Sequence, residues 1–400
     1  MAITHEGPAP AEPARSRSSI LNDARFRGLV AQAVVAAIVV FAIGMMVWNA
    51  QTNLANQRIA SGFGFLNQTA GFGINQTMVE YNETSTYGRA LLVAIINTLL
   101  VAGVGIFFAT IFGFLVGVGR LSKNWMVRQV CTAYVEVTRN LPLLFHILFW
   151  YLAVLAAMPA ARNSYSLFGE IYINNRGIYI PRFVFGEGSG VGLIAFAVAI
   201  VGVVVLKKWA TARRNATGQQ FPVFWTSVGL LIGLPLVALL AVGFPVTIDH
   251  PVLKGFNFNG GSRLLPEFAA LVIALSIYTG GFIAEIVRAG IKAVNYGQSE
   301  AAASLGLKPG LATRLVVIPQ ALRVMIPPLT SQYLNLTKNS SLAAFVGYPE
   351  LVQVFAGTTL NQTGQAIEII AITMGIYLVI SLVTSGFMNW YNKRVALIER

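Results

Sequence analysis

The sequence predicts an all-α membrane protein, a polytopic bundle of about eight transmembrane helices. Its 400 residues are 56% hydrophobic and only 11% charged, with a mean hydropathy of +0.67. A soluble domain carries about 25% charged residues, so this composition excludes an ordinary soluble protein. One run, residues 90–119, contains no charged side chain at all. Because about 20 apolar residues can cross a bilayer, that run alone is long enough to be a span.

Eight apolar runs are candidate spans, since proline and polar residues are tolerated inside membrane helices. The runs are residues 29–48, 90–119, 134–158, 191–206, 221–248, 268–284, 324–347 and 369–388. Before them, residues 1–28 are rich in Ala, Pro, Ser and Arg and predict a flexible cytoplasmic tail. Residues 29–48 then form an extra N-terminal transmembrane helix, residues 49–87 a polar periplasmic segment, and residues 391–400 a second cytoplasmic tail.

The distribution of basic residues predicts the orientation. Loops on the cytoplasmic side of membrane proteins carry an excess of Lys and Arg. With a cytoplasmic N-terminus, 19 of the 28 basic residues fall in cytoplasmic segments and 7 in segments on the other side. We therefore expect a multi-pass protein with both termini in the cytoplasm. The net charge of +13 is explained by these loops, and no nucleic acid partner is expected.

The polar stretch 297–319 lies between two apolar runs and carries helix start and stop signals. Ser299 is an expected N-cap, with Glu300 in the first turn, where the helix dipole favours an anion. Gly306 can close this helix in a left-handed conformation. A second short helix is expected from Pro309, ending or kinking at Pro319. Helices this short are marginal alone, so the sequence predicts a partner against which they pack.

Motifs of catalysis are missing from the sequence. It contains no Gly-x-x-x-x-Gly-Lys-Ser/Thr loop, and the dipeptide Gly-Lys does not occur. The sequence also lacks a serine nucleophile elbow and the His/Glu pattern of zinc enzymes. The single cysteine and three scattered histidines do not have metal-ligand spacing. We predict no enzymatic activity, no catalytic residue, no cofactor and no metal.

Polar residues at membrane depth are the candidates for a translocation path or gate, because such groups usually face a bundle interior or water. The candidates are Asn97, Glu136, Arg139, Asn140, Glu285, Lys338, Asn339 and Ser340. Pro142 follows the first group and can break its helix. For Arg139 and Lys338 the alternative is snorkelling to an interface, and for Glu285 it is a local ion pair with Arg288. Gly113 and Gly117 form a small-xxx-small pattern that favours helix contact.

Several motifs together resemble a known family. Glu300-Ala301-Ala302 is followed by Gly306 at a fixed spacing, and then by Val316 and Ile318-Pro319. Around this pattern stand AEIVRAGI (284–291), GQSEAAASLG (297–306), PQALRVMIPPL (319–329) and KNSSLAAFVGYPEL (338–351), with YVEVTRNLPLL (134–144) upstream. The sequence resembles the permease subunits of bacterial binding-protein-dependent ABC importers, in the polar amino acid branch. Its length and layout are most similar to the Q-type permease of general L-amino acid importers.

The resemblance implies an importer permease domain over residues 88–390, a five-helix core with an inserted two-helix region at 159–265. It also implies the bacterial inner membrane, an amino acid substrate, a periplasmic amino acid-binding protein, a second homologous permease and two ABC ATPase subunits. Coupling to the ATPases would fall on Gly297, Gln298, Glu300, Ala301, Ala302, Gly306, Arg314 and Pro319. The alternative function is a stand-alone secondary transporter or channel, in which Arg139 and Lys338 would be ion or proton sites.

Overall fold

The computed structural model describes residues 24–56 and 61–395. Long helices dominate it: α1 (Ala24–Asn56), α2 (Tyr87–Gly119), α3 (Trp125–Asn140), α4 (Leu143–Leu148), α5 (Gly190–Thr217), α6 (Val223–Ala241), α7 (Pro266–Lys292), α8 (Tyr296–Ser304), α9 (Pro309–Ala312), α10 (Ile318–Asn339), α11 (Leu360–Thr363) and α12 (Ala366–Val395). Within the described residues, seven helices are long and apolar enough to cross a membrane. Counting the bent pair α3–α4 as one span makes eight. The predicted membrane helix bundle is therefore confirmed.

The first helix is longer than the apolar run that predicts it. Helix α1 extends beyond the run 29–48 at both ends, because polar residues continue its regular backbone. It therefore takes in the last residues of the predicted cytoplasmic tail and the first of the predicted polar segment 49–87. The rest of the N-terminal tail, residues 1–23, and the C-terminal residues 396–400 lie outside the described residues.

The third span is broken where the proline predicts it. Helix α3 ends at Asn140, and Leu141 and Pro142 adopt extended backbone conformations before α4 begins. The chain bends by 108° at this point. Proline lacks an N–H donor and disfavours helical backbone in the residue before it, which is the physical reason for the break. Beyond α4 the chain continues as a π-helical turn, Phe149–Leu155.

Helices α2 and α7 form the centre of the bundle and run side by side in the same direction. Gly113 faces Ile283, and one turn later Gly117 faces Val287. A Cβ atom added at Gly113 would lie 2.6 Å from the Cβ of Ile283, and one at Gly117 would lie 2.7 Å from the Cβ of Val287. The predicted helix contact at these two glycines is thus confirmed, with α7 as the partner.

We expect Gly117→Leu to lower the stability of the folded protein by about 3 kcal/mol, because the added side chain must displace α7. Thermal unfolding in detergent micelles would measure the loss. Gly103→Leu is the matched control, since a Cβ at Gly103 meets open space on the same helix. We expect its effect to stay within about 1 kcal/mol. Equal losses in the two variants would contradict the close packing of α2 on α7.

The insertion 159–265 contains strands in addition to its two predicted helices. They are β1 (Tyr165–Leu167), β2 (Ile171–Asn174), β3 (Gly177–Ile180), β4 (Arg182–Phe185), β5 (Val246–Asp249), β6 (Val252–Lys254), β7 (Asn257–Asn259) and β8 (Ser262–Leu264). Strands β1, β2, β3 and β8 form an antiparallel sheet in that order, and β4 pairs with β5. Helices α5 and α6 extend from these strands, which form the base of a helical hairpin, and the two helices pack mainly against each other.

The second short helix of the stretch 297–319 was predicted to end or kink at Pro319, and the first of these two outcomes is wrong because the helix continues past this residue. Helix α9 continues through a π-helical turn, Thr313–Val317, directly into α10. Pro319 directly follows the π-helical turn, where the regular i→i−4 hydrogen bonding is already interrupted, so its missing N–H costs little. The short helix is therefore the leading end of a membrane span, and only α8 stands as a separate short helix. We call the part of the bundle that carries α8 the α8 end.

Candidate functional site

Helix α8 begins four residues earlier than the sequence suggests. Asn295 is its N-cap, and the side-chain Oδ1 of Asn295 accepts a hydrogen bond from the backbone N–H of Gly297 at 2.8 Å. Ser299, the predicted cap, therefore lies inside the helix. Glu300 consequently stands in the second turn, where the helix dipole contributes less than at the N-terminus. The prediction of the cap was wrong because Asn and Ser are comparable N-caps.

The C-terminal end of α8 is closed by Gly306, as predicted. Gly306 has φ +75°, in the left-handed region. Its N–H donates to the carbonyl of Ala303 at 2.9 Å, and the N–H of Leu307 donates to the carbonyl of Ala302 at 3.1 Å. This pair of hydrogen bonds is the Schellman motif, which satisfies helix-end carbonyls. Helix α8 is therefore capped at both ends within its own segment.

Most of the predicted coupling residues are exposed, and four of the exposed ones lie on α8. Of the eight, Ala302 is buried with 4% exposure and Pro319 is half-buried, while Gly297, Gln298, Glu300, Ala301, Gly306 and Arg314 are exposed. The side-chain amide of Gln320 on α10 donates to Gln298 Oε1 at 3.2 Å, which ties α8 to the bundle. Two apolar side chains of this segment are also exposed, Tyr296 at 76% and Leu305 at 81%.

The predicted path residues do not all come together. Glu136, Arg139 and Asn140 lie on exposed positions just before the break between α3 and α4. The amide of Asn140 donates to the Glu136 carbonyl at 2.7 Å. The guanidinium of Arg139 lies 5.2 Å from the ring centroid of Phe282 on α7. The charges at this break are thus open to the surroundings of the chain rather than enclosed within it.

Glu285 forms an ion pair with Arg288, as predicted by the alternative interpretation in which Glu285 is part of a local ion pair. It also pairs with a residue that the sequence analysis did not identify. Arg120, just past the end of α2, donates to the same carboxylate. The side chain of Arg120 is only 10% exposed, so Glu285 supplies the counter-charge of a nearly buried guanidinium. No local spacing could have revealed a partner 165 positions away in the sequence. This cluster joins α2 to α7 at the α8 end.

A buried polar cluster lies at the opposite end of the bundle. Asn97, a predicted path residue, is fully buried and donates to the carbonyls of Gln76 and Pro349 at 3.0 and 2.9 Å. Next to it, Glu350 is also fully buried. The Glu350 carboxylate accepts the N–H groups of Val352 and Gln353, each at 2.8 Å, and thereby caps the helical turn that follows.

Sequence reasoning missed Glu350 because a single acidic residue between two spans has no pattern. The hydroxyl of Tyr377 on α12 also donates to this carboxylate, at 3.0 Å. Burial raises the pKa of Glu350 to about 7, against the lowering effect of the three hydrogen bonds. Glu350 therefore joins the turn after α10 to α12.

Lys338, Asn339 and Ser340 lie at the end of α10, close to this cluster. Lys338 is exposed, Asn339 is half-buried and Ser340 is fully buried. A cavity of about 480 Å³ opens beside them, and Lys338 lines it together with Ser341 and Tyr377. The cavity also has an apolar part formed by Val352, Met374 and Leu378. It thus combines one cation and several hydroxyls with an apolar wall.

The helix bundle and the short helix α8 define a class of protein: a multi-pass membrane protein that presents a short helix, capped at both ends, at one end of the bundle. The chain belongs to the family of binding-protein-dependent transport system inner membrane components, whose pattern matches residues 109–397. It is therefore a permease of the inner membrane.

Relatives match along nearly the whole chain. The general L-amino acid transport system permease protein AapQ of Rhizobium johnstonii is 53% identical over 96% of this chain and 95% of its own length. The putative amino-acid ABC transporter permease protein YhdX of Escherichia coli is 51% identical over 94% of this chain and 95% of its own. The glutamate/glutamine/aspartate/asparagine transport system permease protein BztB of Rhodobacter capsulatus is 40% identical over 96% and 97%.

Proposed function

We propose that this chain is the transmembrane permease subunit of an ATP-driven importer that moves amino acids from the periplasm to the cytoplasm. Helix α8 would couple it to separate ATPase subunits. Membership of the transport family and the amino acid permeases among its relatives support the substrate class. The observation that carries the coupling role is the geometry of α8, a helix capped at both ends with exposed apolar side chains near each end. The count of basic residues supports a cytoplasmic position for α8 and for both termini.

Helix α8 has the features of a docking element. Caps at both ends satisfy terminal backbone groups of the helix within its own segment. Tyr296 and Leu305, near its two ends, offer apolar surface that a groove on an ATPase subunit could cover. Ala301 is small and exposed, which permits close approach of a partner. Helix α8 is followed in the chain by α9, which continues directly into α10. Movement of α8 and α9 would therefore be passed to a membrane span.

We expect an affinity-tagged chain, extracted gently from its native membrane, to carry an ABC ATPase with it. A second, homologous permease is expected in the same complex, and a periplasmic amino acid-binding protein is expected to join when substrate is present. Mass spectrometry of the purified complex would identify these subunits. An unrelated multi-pass membrane protein with the same tag is the control. Purification of the chain without any ATPase, under conditions that keep the complex of a relative intact, would contradict the proposal.

We also propose that the cavity beside Lys338 belongs to the translocation path. An amino acid carries a carboxylate, which the Lys338 ammonium can pair, and hydroxyls such as those of Ser341 and Tyr377 can bond the rest of the polar group. Arg139, at the break between α3 and α4, is the second cation that we assign to the path. A broken helix exposes free backbone groups, and membrane transporters commonly bind polar substrates at such breaks. Asn97, Glu136, Asn140, Asn339 and Ser340 are supporting candidates.

We expect Lys338→Ala to raise the KM of amino acid uptake roughly tenfold, because it removes a charge-assisted hydrogen bond to the substrate. Uptake of labelled amino acids into cells or proteoliposomes would measure the change, and the ATPase should still co-purify. Lys292→Ala is the matched control, since Lys292 is exposed at the α8 end of α7 and away from the cavity. Unchanged uptake kinetics in Lys338→Ala would remove this cavity from the path.

A further inference from the structure

The tip of the α5–α6 hairpin carries a concentrated positive charge. The basic residues there are Lys207, Lys208, Arg213 and Arg214, all of them exposed. The sequence has no acidic residue between Glu187 and Asp249, so the hairpin helices contain no counter-charge of their own. In the described part of the chain, the only acids found within ion-pairing distance of a cation lie at other sites.

One of these cations has a polar partner at the tip. The guanidinium of Arg213 donates to Gln219 Oε1 at 3.0 Å and lies 5.4 Å from the ring centroid of Trp209. Neither contact neutralises its charge. The cluster therefore has four exposed cationic side chains and no acidic residue within the hairpin to pair with them.

A small cleft opens at the same tip, between the end of α5 and the start of α6. Its volume is about 170 Å³. Arg214, Thr211 and Gln220 line its polar side, and Ala210, Phe221 and Val223 line its apolar side. Guanidinium, hydroxyl and amide groups are all hydrogen-bond donors, and a guanidinium can bind two phosphate oxygens at once. The cleft thus offers several donors to one anionic group, next to an apolar wall.

The position of the cleft relative to the apolar part of the hairpin matches the depth of lipid headgroups. Residues 190–206 of α5 are uncharged, and the first cation follows directly at Lys207. Trp209 and Trp225 are 47% and 74% exposed near the tip. Tryptophan is enriched at the boundary between hydrocarbon and water. Most of the exposed aliphatic side chains of both helices lie between the cations and the hairpin base, where acyl chains would run.

We infer that this cleft binds the headgroup of an anionic phospholipid. Arg214 would hold the phosphodiester, with Thr211 and Gln220 as further donors, while Lys207 and Lys208 add to the attraction. The acyl chains would lie along the apolar faces of α5 and α6. The assignment does not depend on ATPase coupling or on the path, because it rests on the inserted hairpin alone.

The test measures lipid binding by the full-length chain in detergent, with native mass spectrometry during titration with phosphatidylglycerol. A basic residue near an anionic surface contributes about fivefold in affinity. The triple variant Lys207→Gln, Lys208→Gln, Arg214→Gln removes three charges and also the bidentate contact of Arg214. We therefore expect it to lose roughly 1000-fold, about 100-fold from the charges and about tenfold from the contact. The single variant Arg214→Lys keeps the positive charge but cannot form the bidentate hydrogen bonds to the phosphate. We expect its affinity for phosphatidylglycerol to fall about tenfold. Phosphatidylcholine, whose choline ammonium cancels the charge of its phosphate, should bind to the native chain much more weakly than phosphatidylglycerol does.

A matched triple variant separates a built site from general surface attraction. Lys123→Gln, Arg128→Gln and Lys292→Gln remove the same charge from exposed positions near the α8 end, away from the hairpin. We expect this control to retain binding within about threefold of the native chain. An equal loss in both triple variants would overturn the assignment, as would release of the bound lipid by excess inorganic phosphate. Monodisperse elution and unchanged helical circular dichroism would show that each variant is folded.

Discussion

Replacing Gly306 by leucine is expected to reduce amino acid uptake at least about tenfold while the protein remains in the membrane. Gly306 has φ +75°, and a residue with a side chain costs about 1–2 kcal/mol in that conformation. The strain falls on a nine-residue helix that has few contacts to offset it. Helix α8 would then unwind at its C-terminal end, and its fit to an ATPase subunit would be lost. Uptake assays, together with co-purification of the ATPase, would measure both effects.

Two further variants decide whether the conformation of Gly306 is the cause. Gly306→Asn should keep most of the uptake, since asparagine tolerates the left-handed region better than leucine does. Gly310→Leu should have little effect, because a Cβ at Gly310 meets open space and its backbone needs no positive φ. Normal uptake by the Gly306→Leu variant would remove α8 from the coupling pathway. Loss in all three variants would indicate a general disturbance of the segment instead.

Uptake by the reconstituted complex is expected to fall to background when ATP hydrolysis is prevented. The sequence has no phosphate-binding loop, and in the proposed importer the energy for transport would come from separate ATPase subunits. Proteoliposomes that contain ATP, no nucleotide or a non-hydrolysable analogue would give the comparison. A protonophore should leave ATP-driven uptake unchanged. Uptake by this chain alone, driven by a proton gradient, would instead establish the stand-alone transporter and reject the importer.

The sequence could predict those features of the fold that depend on neighbouring residues. The spans follow from long apolar runs, the break follows from Pro142, and the closure of α8 follows from Gly306. In each case one local property decides the outcome: hydrophobicity, a missing N–H or the absence of a Cβ. The shift of the N-cap from Ser299 to Asn295 shows the limit of this reasoning, because two suitable caps stood close together.

Features that depend on distant contacts could not be predicted. Arg120 neutralises Glu285 only because α2 packs against α7, and Glu350 is buried only because the turn after α10 meets α12. The strands of the insertion are three or four residues long. Such lengths are too short for an alternating pattern to emerge. The helical structure of α8, a local segment, was predicted better than the arrangement of the path candidates, which come from several helices.

The pairing of β3 with β8 bears on how a chain of this length could have arisen. Ile180 and Ser262 are directly opposite each other on these two antiparallel strands. Everything between them, including α5 and α6, therefore leaves and re-enters the bundle at a single place. A tight turn of two residues is enough to join antiparallel neighbours. Residues 181–261 could therefore have been inserted during evolution as one unit. They could also be replaced by a short turn between β3 and β8, with the connections of the remaining helices unchanged.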